Sequence, residues 1–277
     1  MTEKKRHGIE ALALLLQNAN FKGFFTGKIY EGAAKNVCVP GLNCYSCPGA
    51  VGACPIGSLQ GFLSGMKIRV PYYVIGLLLF FGAALGRAVC GFVCPFGFLQ
   101  EMLNRIPSKK IGRFRADRAL RFLKYAVLLV CVLLLPALIK LTPVFCKYIC
   151  PSGAAAGLLL TAADSAVRGS VGLRFLWKAA LLLSVAVLSV FLFRPFCKYV
   201  CPLGAIYAPL NRIALLRYRV DADRCVSCGL CETVCKMGIN PAQSPNDPEC
   251  IRCGRCVDVC PEKAITSSFR RKNDHAQ

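Results

Sequence analysis

Three stretches of this chain, residues 70–86, roughly 122–142 and 175–193, are apolar almost without a break. Each offers about 15–20 apolar residues, the low end for crossing a hydrocarbon core of about 30 Å, and each predicts a transmembrane helix. Residues 8–26 are apolar too, but Gln17, Asn18, Asn20 and Lys22 interrupt them. That segment is the weakest candidate span, with an interfacial helix and a signal peptide as alternatives. Lys124, Lys140 and Lys178 fall inside the apolar runs, and their ammonium groups are expected to snorkel toward the headgroups. Pro136 predicts a kink. Gly76, Gly82 and Gly86 allow helices to approach closely, and Trp177 reads as an interface anchor.

Polar positions fix the orientation. Arg105, Lys109, Lys110, Arg113, Arg115, Arg118, Arg121 and Lys124 lie between the second and third spans, which marks that loop as cytoplasmic. Two further crossings return the chain to the same side, so everything after residue 194 is cytoplasmic. The basic N-terminus (Lys4, Lys5, Arg6) is cytoplasmic too, and residues 27–69 lie outside if the first segment spans. Past a basic joint at Arg212, Arg217 and Arg219 the chain turns polar and rich in cysteine. The reading is an α-helical integral membrane protein of about four spans (residues 1–216), a small C-terminal α+β domain (217–268) and a polar tail (269–277).

Composition agrees. Of 277 residues, 55% are hydrophobic and mean hydropathy is +0.50, which places a membrane class ahead of a soluble one. The net charge of +21 sits beside apolar segments, so it reads as membrane flank and not as a nucleic-acid surface. The 19 cysteines are spaced as metal thiolates, unlike those of a short secreted disulphide scaffold. Only His7 and His275 are present, both near the termini. This excludes bis-histidine haem in the membrane, and no Cys-x-x-Cys-His attachment sequence occurs.

The candidate chemistry lies in one phrase used four times, Cys-Pro-x-Gly, at Cys54, Cys94, Cys150 and Cys201. Cys90, Cys146 and Cys197 stand four residues upstream of the last three copies, while the first copy is looser, with Cys44 and Cys47 before Cys54. Proline suits the first position of a helix. The preceding cysteine then caps the helix, where free N–H groups and the positive dipole end favour an anion such as a cluster-bound thiolate. The topology sorts these cysteines into two groups. Cys90, Cys94, Cys197 and Cys201 fall at inner ends, the four thiolates a cubane [4Fe–4S] cluster needs. Cys38, Cys44, Cys47, Cys54, Cys146 and Cys150 fall at outer ends. A second cluster there is expected on Cys47, Cys54, Cys146 and Cys150, with Cys44 as the substitute; Cys38 is a ligand, a disulphide partner or a buried thiol. Arg87 and Arg194 each stand three residues before the first inner cysteine, where Pro143 stands in the outer motif. Their guanidinium groups predict a higher potential inside. Lys147 and Lys198 are further candidates beside the clusters, equivalent in both sites. Cys131, alone in the third span, reads as a packing residue.

The C-terminal region repeats Cys-x2-Cys-x2-Cys-x3-Cys, at Cys225, Cys228, Cys231 and Cys235 and again at Cys250, Cys253, Cys256 and Cys260. This is the bacterial two-cluster ferredoxin signature, in which the fourth cysteine of each run serves the other cluster. One cluster is assigned Cys225, Cys228, Cys231 and Cys260, the other Cys250, Cys253, Cys256 and Cys235. Lys236 replaces the proline that follows the second run as Pro261. About 50 residues cannot bury much core, so the clusters are expected to hold the domain together.

On these residues the chain resembles the NapH/MauN-like 4Fe–4S membrane ferredoxins, related to NosR and the CcoG-type polyferredoxins. The shared parts are Cys90/Cys94, Cys197/Cys201, the membrane spans and the two-cluster domain, from about residue 70 to 266. The segment from Cys38 to Gly49 looks like that of a subgroup of 4Fe–4S membrane proteins of anaerobes. The resemblance implies electron transfer, with quinol oxidation as the chemistry proposed for NapH, whose relatives lack the outer cysteines. The expected function is an electron conduit in a prokaryotic cytoplasmic membrane, between a cytoplasmic ferredoxin-like partner and an extracytoplasmic acceptor. A quinone-coupled dehydrogenase component and a redox-sensing or maturation factor are the alternatives. Clusters at opposite bilayer faces would stand tens of ångströms apart, so the Cys-Pro helices are expected to dip inward, unless a quinone or another group bridges them.

Overall fold

A computed structural model describes residues 3–65, 70–112, 114–139, 142–163 and 172–269. Lys140 and the 269–277 tail beyond Phe269 lie outside the described residues. The N-terminal segment is two helices, α1 (Glu3–Gln17) and α2 (Phe21–Thr26), with a break at residues 18–20. Residues 8–26 are therefore not one spanning helix. The polar residues that interrupt the run decide this: Asn18 turns back to the Leu14 carbonyl, and Asn20 donates to Pro48. The α1 helix buries Arg6, His7, Glu10 and Gln17 against the rest of the protein.

Five helices begin directly on a proline: α3 (Pro55–Leu63), α6 (Pro95–Leu103), α8 (Pro151–Ala163), α10 (Pro195–Tyr199) and α11 (Pro202–Leu210). Between them run α4 (Tyr72–Leu85), α5 (Ala88–Phe92), α7 (Asp117–Leu138) and α9 (Leu173–Phe191). Of the described helices, α7 and α9 are long and apolar enough to cross a membrane, by length and composition; α4 and α8 are apolar but shorter. Among the described residues, two of the about four expected spans are helices of spanning length. Leu129, Leu138, Leu173 and Leu183 on α7 and α9 are each more than half exposed. Ahead of Pro136, which has no N–H to give, residues Val127–Leu134 of α7 are wound as π-helix. Gly82 meets Leu210 of α11, where a Cβ would lie 2.2 Å from the leucine side chain. Lys124 does not snorkel; it is fully buried and paired with Glu249.

The C-terminal unit has two antiparallel strands, β1 (Leu216–Val220) and β2 (Ile265–Phe269), in register from Leu216↔Phe269 to Val220↔Ile265. Two short helices, α12 (Leu230–Thr233) and α13 (Arg255–Val259), lie between the strands. This unit is docked by hydrogen bonds, not tethered. Arg252 donates to the carbonyls of Leu85 (2.6 Å) and Asn211 (2.8 Å), and Asn211 donates to the carbonyls of Asp247 (2.6 Å) and Cys250 (3.0 Å).

A buried ion network ties α1, α6, α10 and α13 together. Glu101 receives Arg6, Arg194 (2.6 Å) and Arg255 (2.8 Å), and Glu10 receives Arg6 (3.0 Å) and Arg194 (2.6 Å). Burial pushes the Glu101 carboxyl up, but Arg194, Arg6 and Arg255 override it and hold the group at about 2. A depressed carboxylate gives stability that is complete above its ordinary value near 4.5 and is lost as pH falls toward about 2. Glu101→Gln is expected to destabilise the fold by about 3–5 kcal/mol at neutral pH, because the arginines lose their counter-charge. The variant's melting temperature should also respond less to acid across that window. Equal acid sensitivity in both proteins would remove Glu101 from the account.

Candidate metal centres

A proline disfavours the helical region for the residue before it, and five of the six Cys-Pro cysteines are shown extended. Cys54, Cys94, Cys150, Cys201 and Cys260 have ψ of 128°, 112°, 114°, 115° and 113°. In the three Cys-x3-Cys-Pro motifs the second cysteine's N–H reaches back five residues, Cys94 to Val89 (3.2 Å), Cys150 to Phe145 (2.9 Å) and Cys201 to Phe196 (2.9 Å). The helix that follows starts with backbone N–H groups beside the thiol that oppose the upward push of burial: Ile56 and Gly57 at Cys54, Ser152 and Gly153 at Cys150, and Gly204 at Cys201. The Cys-Pro-x-Gly phrase is therefore a thiolate cap, built from the orphan donors of a helix start.

The inner four converge. Cys90, Cys94, Cys197 and Cys201 are each no more than 6% exposed, and their charges act on one another. Burial pushes the Cys197 thiol up to about 12, with repulsion from Cys94 and Cys90 adding to it. Four crowded, buried sulphurs with aligned N–H donors suit a polynuclear iron centre, which supplies the positive charge that burial denies. The two motifs brace each other through their arginines. Arg87 donates to the Cys197 carbonyl (3.3 Å), and Arg194 donates to the Cys90 carbonyl. The Arg87 charge also acts on the Cys90 thiol and opposes the upward push of burial. Neither charge is free, since Arg87 pairs with Glu249 (2.6 Å) and Arg194 with Glu10 and Glu101. The charge contrast expected between inner and outer sites is correspondingly smaller. Lys198 pairs with Asp117 (2.5 Å), and Lys147 stacks over Tyr148 (5.5 Å). Those partners, and not the thiols, account for both lysines.

The outer group is gathered around a cavity of about 670 Å³ lined by Cys44, Cys54, Cys146 and Cys150. The cavity takes Cys44 where the sequence favoured Cys47. Cys47 is not part of that lining; it packs beside it with Ala50 and Ala156, and Cys44 borders both places. Lys178 lines the same cavity and is the cation that sequence reading assigned to the headgroups. Cys38 is buried, with its thiol 3.4 Å from the Ser58 hydroxyl, and Cys131 packs partly buried against the core.

Inner and outer cysteines share one buried core. Cys54, Cys90, Cys94, Cys150 and Cys201 lie in it with Leu42, Phe96 and Tyr207. Gly41 lies against Cys94, where a Cβ would be 3.0 Å from the cysteine Cα, and the Tyr207 hydroxyl donates to the Pro40 carbonyl (3.0 Å). The loop that carries Cys44 thus rests on the inner motif.

In the C-terminal unit Cys225, Cys228, Cys231 and Cys260 line a cavity of about 30 Å³. Cys250, Cys256, Cys253 and Cys235 form the second group, coupled through their charges. Each run turns on the same backbone. Ser227 and Arg252 have φ of 52° and 53°, and Gly229 and Gly254 have 75° and 86°, the left-handed values that favour glycine. Lys236, in place of the proline, stacks over Phe193 (5.5 Å) beside Arg255 (5.4 Å). The second group abuts the inner motif directly: a Cβ on Gly91 would fall 2.4 Å from the Ile251 carbonyl oxygen.

The 4Fe-4S binding domain model matches residues 52–72, 73–113, 124–161 and 174–220, more than half of the chain, and a second 4Fe-4S binding domain matches 218–239 and 246–266. The chain belongs to the 4Fe-4S ferredoxin-type family. An uncharacterised protein of Methanocaldococcus jannaschii is 28% identical over 79% of each chain. The methylamine utilization ferredoxin-type protein MauN of Paracoccus denitrificans is 30% identical over 64% of this chain and 58% of its own. The regulatory protein NosR of Stutzerimonas stutzeri is 31% identical over 55% of this chain and 20% of its own. No solved structure matches the chain. It is an iron–sulphur electron-transfer protein.

Proposed function

We propose that this ferredoxin-type protein is a membrane electron conduit with four [4Fe–4S] clusters in a row. The order runs from the Cys225/228/231/260 cluster to the Cys250/253/256/235 cluster, then to the Cys90/94/197/201 cluster and the Cys44/54/146/150 cluster. Each cluster, when bound, supplies one-electron transfer, while the protein holds, orients and tunes it. The observation that carries this reading is continuity. Gly91 brings Ile251, next to Cys250, onto the motif of Cys90, and Gly41 brings the Cys44 loop onto Cys94. The lipid-facing surface is α7 and α9, whose apolar side chains point outward, and the basic loop between α6 and α7 sets the cytoplasmic side. Partners are a cytoplasmic ferredoxin-like protein at the exposed Cys228 edge and an acceptor at the outer cavity.

Iron and sulphide quantitation with EPR tests the cluster count on the full chain and on a chain ending before Arg219. Four clusters should fall to two. A fall from two to none would take iron out of the membrane part and end the proposal.

A further inference from the structure

Among the inner thiols, Cys197 has a side-chain donor that comes from outside its own motif. Gln100 of α6, 1% exposed, places its Nε2 3.1 Å from the Cys197 Sγ. The amide's orientation is fixed on both sides. Its Oε1 accepts the Phe196 N–H (3.1 Å), and its Nε2 also donates to the Phe96 carbonyl (3.3 Å). Turning the amide over would set an oxygen against the Phe96 carbonyl and an NH2 against the Phe196 N–H, so the N–H must face the sulphur.

We infer that Gln100 is a positioning residue that raises the reduction potential of the inner cluster through an N–H···S bond to Cys197. This rests on the reading that Cys90, Cys94, Cys197 and Cys201 hold that cluster. Reduction adds negative charge that spreads onto the ligating sulphurs, and a donor aimed at sulphur stabilises the reduced form more than the oxidised one. The Phe196 contact adds rigidity: the amide is locked to the residue immediately before its target, so donor and sulphur keep their spacing. Gln60 holds the same place six residues after Cys54, fully buried and with neither amide atom partnered among the described residues. A buried amide at this position therefore recurs in the first outer motif, where it costs desolvation.

The test is an EPR-monitored redox titration of the full chain and of Gln100→Met and Gln100→Glu, with iron measured in each. Methionine keeps the length and removes the donor. Glutamate keeps an acceptor for the Phe196 N–H and turns a repelling oxygen toward the sulphur. At full iron content, Gln100→Met should shift the oxidised-to-reduced ratio of the inner cluster about tenfold toward oxidised, which is about 59 mV for one electron. Gln100→Glu should shift it further the same way, with the two ferredoxin-domain clusters unmoved in both. An inner potential that is unchanged or raised in both variants overturns the inference. Loss of inner-cluster iron in both also overturns it, because Gln100 would then be structural. Wild-type protein without an inner cluster would instead overturn the proposed function.

Discussion

Cys44→Ser is expected to lose the outer cluster and about one quarter of the iron, while Cys47→Ser keeps both. The two residues share one turn, and analogy with the inner pairing favours Cys47. The structure separates them at the cavity. Cys44 faces Cys54, Cys146 and Cys150 across one cavity, and its sulphur lies close to Gly153 at the start of α8. Cys47 is absent from the lining of that cavity and packs with Ala50 and Ala156, a cluster that Cys44 also touches. A serine at position 44 leaves three thiolates, too few for a stable cubane, whereas one at position 47 alters only packing. Iron content and the outer-cluster EPR signal decide the matter. Iron loss in Cys47→Ser with retention in Cys44→Ser would reverse the assignment.

Glu249→Ala should destabilise the protein by about 3–5 kcal/mol, the usual cost of stranding buried charges. Glu249 is the sole carboxylate paired with Arg87 and Lys124 among the described ion pairs, and both cations are fully buried. Burial pushes the Glu249 carboxyl up, but Arg87 and Lys124 hold it below its ordinary value. The residue also precedes Cys250, so one side chain joins the ferredoxin domain, the inner motif and α7. A second readout follows from Arg87, whose charge also acts on the Cys90 thiol. Without Glu249 its charge acts on the inner cluster alone, so that cluster's potential should rise even as the fold weakens. A denaturant melt and a redox titration of the same preparation measure both effects. A fall in potential would show that Glu249 does not screen Arg87.

Much of this arrangement is legible in the residues. Cysteine spacing picks out the motifs, and the alternation of apolar runs sorts them into inner and outer groups, since iron–sulphur ligation demands thiolates at short, repeated intervals and proline fixes the backbone at each cap. Chain direction at the outer turn is less legible, which is why Cys44 and Cys47 are exchanged: a spacing of three does not say which thiol faces inward. The role of Lys124 is hidden for a different reason. A lysine in an apolar run reads as snorkelling until its partner is known, and Glu249 lies 125 residues away. Residues 8–26 mislead through composition, because hydropathy weighs the apolar residues and not the Arg6–Glu10–Glu101 network that draws the helix onto the protein. Gln100 carries no sequence signal of its own, since an amide six residues past a cysteine becomes meaningful only when the facing motif is in place.

In the proposed conduit, electrons pass from the ferredoxin domain to the outer cluster by way of the inner one. Inside-out vesicles expose the cytoplasmic face to dithionite, which does not cross the membrane, and rapid-freeze EPR then follows each cluster. In wild type, reduction of the outer cluster should follow closely on that of the ferredoxin domain. In Cys197→Ser, with the inner cluster gone and the other three retained, the ferredoxin signals should appear as before while the outer cluster stays oxidised. Equally fast reduction of the outer cluster in that variant would contradict the account.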